Sequence, residues 1–256
     1  MHSTLVIQSH NTPIQTSWLK ACIASVERWC ESNQFQYQFL GDALFDPLNL
    51  TILEKVKDQL VIATDLARLY ALREGLKKFD RVVWLDTDFL IFAPDQFVLP
   101  AQSELKEGYM LGREVWVQQD KERPNKLKSY VKVHNAFLLF DRENSFLEFY
   151  LQHAERLLEQ CDGPMPPQFI GPKLLTALHN VIGCPVLESA GMLSPLVIDD
   201  LLSKGEQCCA LNLMKKKSPM PMAGANLCRS LVVQGQRSSE DMESLVAKLL
   251  KNGTPL

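Results

Sequence analysis

Two aspartates interrupt an otherwise apolar segment that runs from Val82 to Phe92 (VVWLDTDFLIF). An unpaired carboxylate is costly to bury, so we expect Asp86 and Asp88 to lie where the preceding strand emerges from the core. Residues two apart in an extended chain point to the same side, so both carboxylates can face one ligand. In open α/β sheets, ligands bind beyond the carboxyl ends of the strands, which is where this pair is predicted to lie.

The chemistry of the pair suits a hard divalent cation. Carboxylate oxygens are ligands for Mg²⁺ or Mn²⁺, whose other positions are filled by phosphate oxygens and water. A dication bound there would stabilise the charge that develops when a sugar leaves a nucleoside diphosphate. A D-x-D tripeptide alone is a weak signal, so two surface acids at the end of a strand remain an alternative interpretation.

Strands and helices alternate along most of the chain, which predicts an α/β fold with a mainly parallel sheet flanked by helices. Residues 118–132 carry many charges and few apolar side chains, and are predicted to form a mobile surface loop. Thr64 is a plausible N-cap of its helix. The predicted strands cover residues 4–9, 35–39, 81–85, 89–92, 109–117, 135–140 and 208–213, and the predicted helices 16–32, 51–60, 64–78, 144–160, 172–179 and 239–251.

Composition limits the partners. A chain of 256 residues predicts one domain, and a net charge of −3 argues against nucleic acid. Seven cysteines, an odd number without a C-x-x-C pair, favour reduced thiols in a cytoplasmic protein that could also dock peripherally at a membrane surface. No apolar run approaches the roughly 18 residues of a membrane span, so no transmembrane segment is expected.

Four segments together resemble the GT-A glycosyltransferases, which carry a DXD motif. The first two are Ala63 to Tyr70 (ATDLARLY) and Phe79 to Asp88 (FDRVVWLDTD). The other two are Asn135 to Phe140 (NAFLLF) and Ile170 to Thr176 (IGPKLLT). The likeness is greatest to family thirty-two, which contains yeast-type mannosyltransferases and is related to the clostridial glucosylating toxins; residues 80–92 are also similar to the glycogenin-like family eight.

The resemblance implies a GT-A-like domain that transfers a hexose from a UDP- or GDP-sugar to a hydroxyl acceptor (a saccharide, lipid or protein) with retention of configuration. Residues 1–92 would build the nucleotide site, and residues 93–256 the sugar and acceptor pocket. Asp65 would contact sugar hydroxyls, and Arg68 a phosphate or sugar oxygen. Asn135 would lie in the strand that lines the donor sugar and would belong to the catalytic residues.

The same resemblance assigns the nucleotide and metal contacts. Asp88 would bind Mn²⁺ or Mg²⁺ directly, and Asp86 would hold the ribose and bind the metal directly or through water; both count among the catalytic residues. Thr87 lies between them in the donor-binding segment. Many GT-A enzymes supply a C-terminal histidine to the metal, and here Asn226 stands at the expected place as a possible third ligand. The Gly-Gly that usually precedes the DXD strand is absent.

Other interpretations stay open. A haloacid-dehalogenase-like phosphohydrolase also places D-x-D after an apolar strand, and a nucleotide-sugar-binding protein without catalysis would use the same residues. The general base is open, with Glu114 and Asp141 as candidates. His134 could touch the sugar or move a proton, or be structural. The basic segments at residues 121–132 and 215–217 could contact anions or be solvated surface.

Overall fold

The computed structural model describes residues 3–203 and 208–253. Nine strands in this part of the chain form two sheets. The strands are β1 (Thr4–Gln8), β2 (Gln36–Phe39), β3 (Arg81–Leu85), β4 (Phe89–Ile91), β5 (Tyr109–Gln119), β6 (Leu127–Asp141), β7 (Val186–Leu187), β8 (Ala190–Met192) and β9 (Gly224–Asn226).

The larger sheet has six strands in the order β2-β1-β3-β6-β5-β7. Strand β1 pairs in parallel with β2 and β3, and β5 pairs in parallel with β7, whereas β6 runs antiparallel between β3 and β5. A smaller sheet has the order β4-β9-β8. The prediction of an α/β fold with a mainly parallel central sheet is therefore confirmed.

Nine α-helices flank the sheets within the described residues. They are α1 (Ser17–Asn33), α2 (Leu50–Lys55), α3 (Leu60–Leu76), α4 (Phe146–Gln160), α5 (Pro172–Ile182), α6 (Pro195–Leu202), α7 (Cys209–Lys217), α8 (Ser230–Val233) and α9 (Ser239–Asn252). No helix of the described ranges has the length and apolar character needed to cross a bilayer.

Both faces of the large sheet are buried, because alternate side chains of its central strands enter different cores. Val83 and Leu85 of β3 pack in the core that contains Trp18 of α1. Val82 and Trp84 pack in the core on the other face, with α3 and α4. Double burial explains the continuous apolar run before Asp86 and fixes the register of β3, since a one-residue slip would exchange the two cores.

The prediction of a mobile loop at residues 118–132 is wrong over most of its length. Strands β5 and β6 form a long hairpin whose pairing extends to Gln119 and Leu127, which leaves only residues 120–126 as the connection. This part of β6 carries Lys128 and Lys132, and all of residues 127–132 are exposed or half-buried. High charge favours a loop interpretation, but a strand that is only partly buried can carry the same residues.

Two further local predictions are wrong. Residues 208–213, expected as a strand, belong to the beginning of α7, where Ala210, Leu211 and Met214 are buried at helical spacing. Helix α3 begins at Leu60, so Thr64 is no N-cap; its hydroxyl donates to the carbonyl of Leu60 at 3.0 Å inside the helix. The apolar residues from 60 to 63 extend the helix beyond the apparent cap.

Candidate functional site at the end of strand β3

The segment that carries the two aspartates is a turn. Strand β3 ends at Leu85, and the N–H of Phe89 donates to the carbonyl of Asp86 at 2.9 Å. The expectation that Asp86 and Asp88 share one side of an extended strand is therefore wrong in its local geometry. The N–H of Asp86 donates to the carbonyl of Ala136 at 3.0 Å, so β6 fixes the point at which the chain leaves the sheet.

Arg68 of α3 joins the sheet to the helix. Its Nη1 donates to Asp86 Oδ1 at 3.0 Å and to the carbonyl oxygen of Asn135 at 2.7 Å. Its Nη2 lies 3.2 Å from Asp65 Oδ1. The guanidinium carbon lies 5.1 Å from the ring centroid of Trp84, whose Nε1 also donates to Asp86 Oδ1 at 2.7 Å. A buried arginine thus fixes two aspartates that are 21 positions apart in the sequence.

Asp65 is the most deeply enclosed acid of this group. Asn135 Nδ2 donates to its Oδ1 at 2.8 Å, whereas its buried Oδ2 has no hydrogen-bond partner among the described residues. Gly171, at the start of α5, lies against this oxygen, and a Cβ there would approach Oδ2 to 2.3 Å. Burial raises the pKa of Asp65 to about 6, although Arg68 and Asn135 favour the charged form.

Asp88 is held by the segment that follows β9. Its Oδ1 accepts from Asn226 Nδ2 and its Oδ2 from the backbone N–H of Arg229, each at 2.7 Å. Burial, followed by the negative charge of Asp86, raises its pKa above the usual range. The amide oxygen of Asn226 accepts from the N–H of Cys228 at 2.8 Å, so Asn226 directs its nitrogen towards Asp88.

The site carries more negative than positive charge. Three aspartates (Asp65, Asp86 and Asp88) converge on it, and Arg68 is the only cationic side chain that contacts them in the ion pairs and hydrogen bonds of residues 3–203 and 208–253. Asp86 reaches solvent, with 25% of its side chain exposed. Three carboxylates and one guanidinium leave an excess of two negative charges, which is the charge a divalent cation would neutralise.

The donor atoms at this place suit a hard cation. Asp86 and Asp88 offer carboxylate oxygens, the ligands that Mg²⁺ and Mn²⁺ prefer. Each oxygen of Asp88 accepts one hydrogen bond and keeps a second lone pair, whereas both hydrogen bonds to Asp86 go to its Oδ1, so Oδ2 is the better ligand atom there. Among the described residues, no group of three or more His, Cys, Asp or Glu side chains is arranged to hold a metal. The remaining ligands of a bound cation would therefore come from the substrate, from water or from an amide such as that of Asn226.

The two general-base candidates differ in position. Asp141 lies at the opposite end of β3, where it forms a two-pronged ion pair with Arg81 at 2.6 and 3.0 Å, so it takes no part in this site. Glu114 lies on the site's side of the molecule: its charge and that of Asp88 both raise the pKa of Cys228. Burial raises the pKa of Glu114, and Lys132 at 3.7 Å opposes that shift.

Thr87, His134 and the two basic segments are the other residues predicted to take part, and they lie in different elements. Thr87 is buried within the turn. His134 is buried directly beside Asn135. The lysines of residues 215–217 form the last turn of α7, and the basic residues of the 121–132 segment lie on the outer hairpin.

Sequence reasoning missed two members of the site. Trp84 precedes Asp86 by two positions, and its indole N–H donates to that carboxylate. Gln8, the last residue of β1, donates from Nε2 to the carbonyl of Asp86 at 3.0 Å and accepts from the hydroxyl of Tyr37. Their signal in the sequence is weak, because a tryptophan and a glutamine at strand ends are compatible with many roles.

A cavity of about 430 Å³ lies elsewhere, between α3 and strands β1 and β2. Leu5, Ile7 and Gly75 are among its lining residues, and the three aspartates are not. Its lining is mainly apolar, so it offers no cluster of acids comparable to the end of β3.

Of the comparisons with known proteins, only the one with solved structures gives matches. No protein-family model matches the chain, and no curated protein matches it. Among solved structures, a glycosyltransferase involved in the glycosylation of the major capsid of PBCV-1 is 13% identical, with 95% of this chain and 98% of that chain covered and a TM-score of 0.46. Mouse xyloside xylosyltransferase 1 is 10% identical, with 90% and 98% covered and a TM-score of 0.41.

Proposed function

We propose that the chain is a metal-dependent glycosyltransferase of the GT-A type, which moves a hexose from a UDP- or GDP-sugar to a hydroxyl acceptor. The observation that carries this proposal is the excess of negative charge at the end of β3, where Asp65 and Asp86 share Arg68 and Asp88 lies close enough for the charge of Asp86 to raise its pKa. Carboxylates that repel one another in a buried place are destabilising unless a ligand compensates them. A divalent cation with a diphosphate is a ligand of the required charge and chemistry.

In this proposal Asp86 and Asp88 bind the metal, and Asp65 binds the sugar. Asp86 and Asp88 hold the cation, with Asn226 as a possible third ligand after rotation of its amide. When bound, the cation stabilises the charge that develops on the departing diphosphate. Thr87 lies in the turn between the two ligands and belongs to the donor-binding segment.

Asp65, Arg68 and Asn135 would position the donor sugar. Within residues 3–203 and 208–253, Oδ2 of Asp65 has no hydrogen-bond donor, and buried polar atoms are nearly always hydrogen-bonded. A sugar hydroxyl supplies such a donor. Arg68 holds Asp65 and Asp86 at fixed positions and can turn part of its charge towards a phosphate oxygen, and Asn135 orients Asp65 from the other side.

Retention of configuration, which the family resemblance implies, remains part of the proposal. Within it, Glu114 is the better candidate for a base than Asp141, because Asp141 is paired with Arg81 at the far end of β3. The acceptor is proposed only as a hydroxyl compound. Residues 1–92 supply the proposed nucleotide contacts, and residues after 92 supply Asn135 and Asn226.

The test is incubation of the protein with Mn²⁺ and individual UDP- and GDP-hexoses, with the released nucleoside diphosphate measured over time. We expect slow release to water even without an acceptor, and none in the presence of EDTA. Asp86→Asn should abolish the release, because it removes a proposed metal ligand. Asp95→Asn is the matched control, since Asp95 is an exposed aspartate in the turn after β4.

Other outcomes would favour a different function or contradict the proposal. Hydrolysis of p-nitrophenyl phosphate with intact nucleotide-sugars would favour a phosphohydrolase. Tight binding of a nucleotide-sugar that stays intact would favour a binding protein without catalysis. Absence of both binding and release would contradict the proposal.

A further inference from the structure

Strand β6 leaves its partner β5 for three residues directly beside the site. Leu111 pairs with Leu138, and the next residue of β5, Gly112, pairs with His134. Residues 135–137 therefore have no partner in β5, and β6 forms a large bulge there. On its other edge β6 remains paired with β3 through Phe137.

The ring of His134 packs against Gly112 and bonds to the bulge. Its Nδ1 accepts from the backbone N–H of Ala136 at 3.1 Å, so the ring is bonded to the bulge itself. Because Nδ1 accepts, the proton of the neutral ring lies on Nε2, which donates to the carbonyl of Ala190 in β8 at 3.2 Å. The ring thus connects the bulge to the smaller sheet.

Gly112 makes room for this arrangement. A Cβ at Gly112 would lie 2.2 Å from Cε1 and 2.4 Å from Nε2 of His134, distances that no real contact allows. Position 112 must be glycine because the imidazole of His134 lies too close for any side chain. The two residues therefore depend on each other: Gly112 of β5 lacks a side chain, and the ring of His134 from β6 occupies the space that is left.

The bulge gives Asn135 its two contacts with α3. The side-chain nitrogen of Asn135 donates to Asp65, and its carbonyl accepts from Arg68. A regular β6 would direct the backbone polar groups of this residue along the sheet plane towards its neighbours. The departure from β5 is thus associated with the placement of Asn135 against both charged residues.

We propose that His134 is a positioning residue: its ring ties the bulge at Ala136 to Ala190 of β8 and thereby holds Asn135 in contact with Asp65 and Arg68. The effect on donor binding rests on the proposed function, whereas the effect on the position of Asn135 does not. His134 needs no contact with substrate for this role.

Two substitutions separate the two hydrogen bonds of the ring. In His134→Asn, the amide oxygen can take the place of Nδ1 and accept from the N–H two residues later, as asparagine does in local turns. In His134→Gln, the amide nitrogen can instead take the place of Nε2 and donate to Ala190. His153→Asn is the control, because His153 is an exposed histidine on α4.

The dissociation constant of a nucleotide-sugar, measured by calorimetry with Mn²⁺, is the first readout. UDP-glucose and GDP-mannose are the probes. We expect His134→Asn to stay within about twofold of the native protein and His134→Gln to bind about tenfold more weakly, a change of about 1.4 kcal/mol. A merely structural role would lower the melting temperature of both variants and leave both affinities unchanged, which would overturn the inference.

Crystal structures of both variants give a second readout that needs no donor. Asn135 Nδ2 should remain within hydrogen-bond distance of Asp65 in His134→Asn and move beyond it in His134→Gln. If the native protein binds neither nucleotide-sugar, the proposed function fails, and these structures still decide the role of His134. An unmoved Asn135 in His134→Gln would overturn it. If His134→Gln does not fold, Gly112→Ala displaces the same ring and should move Asn135 in the same way.

Discussion

The carboxylate of Asp65, a proposed donor contact, differs from that of Asp141 in how its charge is compensated. It is buried, one of its oxygens has no partner among the described residues, and its pKa rises to about 6. Asp141 is also buried, but Arg81 contacts both of its oxygens. Both oxygens of Asp141 thus have partners, whereas at Asp65 only Oδ1 has partners among the described residues.

Substitution of Asp65 by asparagine should separate stability from binding. Because burial raises the pKa of Asp65, the ionised group is destabilising relative to water, so Asp65→Asn should retain native stability at pH 7.5 or exceed it. Its affinity for the donor should fall about tenfold or more, because a charged acceptor for sugar hydroxyls is lost. Urea unfolding and donor titration measure the two quantities.

Asp141→Asn is the matched control for that substitution. It breaks a buried ion pair, so unfolding should become easier by about 3 kcal/mol, while donor affinity of the folded protein stays unchanged. The reverse pattern, with weaker binding in Asp141→Asn and native binding in Asp65→Asn, would contradict the assignment of the site.

His134 predicts a pH dependence of stability. Burial lowers its pKa from 6.5 to about 4, so the unfolded chain binds the imidazole proton at a higher pH than the folded chain does. The stability contributed by the neutral ring is therefore complete above pH 6.5 and is lost as the pH falls towards 4.

Comparison with His134→Asn isolates this effect, because asparagine does not titrate. Between pH 7.5 and pH 4.5 the native protein should lose up to about 3 kcal/mol relative to the variant. Chemical unfolding at a series of pH values measures the difference. Parallel pH profiles of the two proteins would mean that the imidazole is not held neutral in the fold.

At the scale of elements, the local pattern of apolar residues predicts whether most segments are helix or strand. It fails for a partly exposed strand and for a short apolar segment. The outer part of β6 carries lysines and is only partly buried, and a polar strand of this kind resembles a loop in sequence. Residues 208–213 contain two cysteines and three apolar residues, which fits either a strand or a helix until the packing of α7 decides.

The site is predictable in part because its chemistry is concentrated in short motifs. Asp65, Arg68, Asp86 and Asn135 all stand out in the sequence, and the structure brings them into contact. The turn at residues 86–89 was not predicted, since the apolar residues on both sides suggest a continuous strand. Contacts between elements, such as that of Gln8 with the carbonyl of Asp86, depend on sheet order and have no local signal.

The start of α5 allows a test at the level of an element. A Cβ at Gly171 would come within 2.3 Å of Asp65 Oδ2, so Gly171→Ala should displace this carboxylate from Asn135. We expect about tenfold weaker donor binding, measured by calorimetry.

Gly183, at the other end of the same helix, is the control for this substitution. It has a φ of +68°, and a Cβ placed there would meet no other atom within 4 Å. Gly183→Ala should therefore cost about 1 kcal/mol in stability and leave donor binding unchanged. Equal effects of the two substitutions on binding would remove Gly171 from the site.

At the scale of the whole molecule, the alternation of strands and helices predicts the fold class, but it does not predict the order of the strands. Strand β6 lies between β3 and β5 and runs antiparallel to both, although the chain reaches it only after the β5 strand. This placement is decisive for the site, because β6 brings Asn135 and Ala136 to the end of β3. Such pairing depends on contacts between distant parts of the sequence.

The central claim is that Asp86 and Asp88 bind a dication together with a nucleotide-sugar. The most direct measurement is the melting temperature of the native protein and of Asp88→Ala against a panel of UDP- and GDP-sugars, with and without Mn²⁺. At a hundredfold excess over its dissociation constant, a donor adds about 2.7 kcal/mol of stability, which is roughly 5 to 10 °C for a chain of this size. We predict such a shift for the native protein with Mn²⁺, and loss of its metal-dependent part in Asp88→Ala. A shift that is the same in both proteins and unaffected by EDTA would contradict the claim.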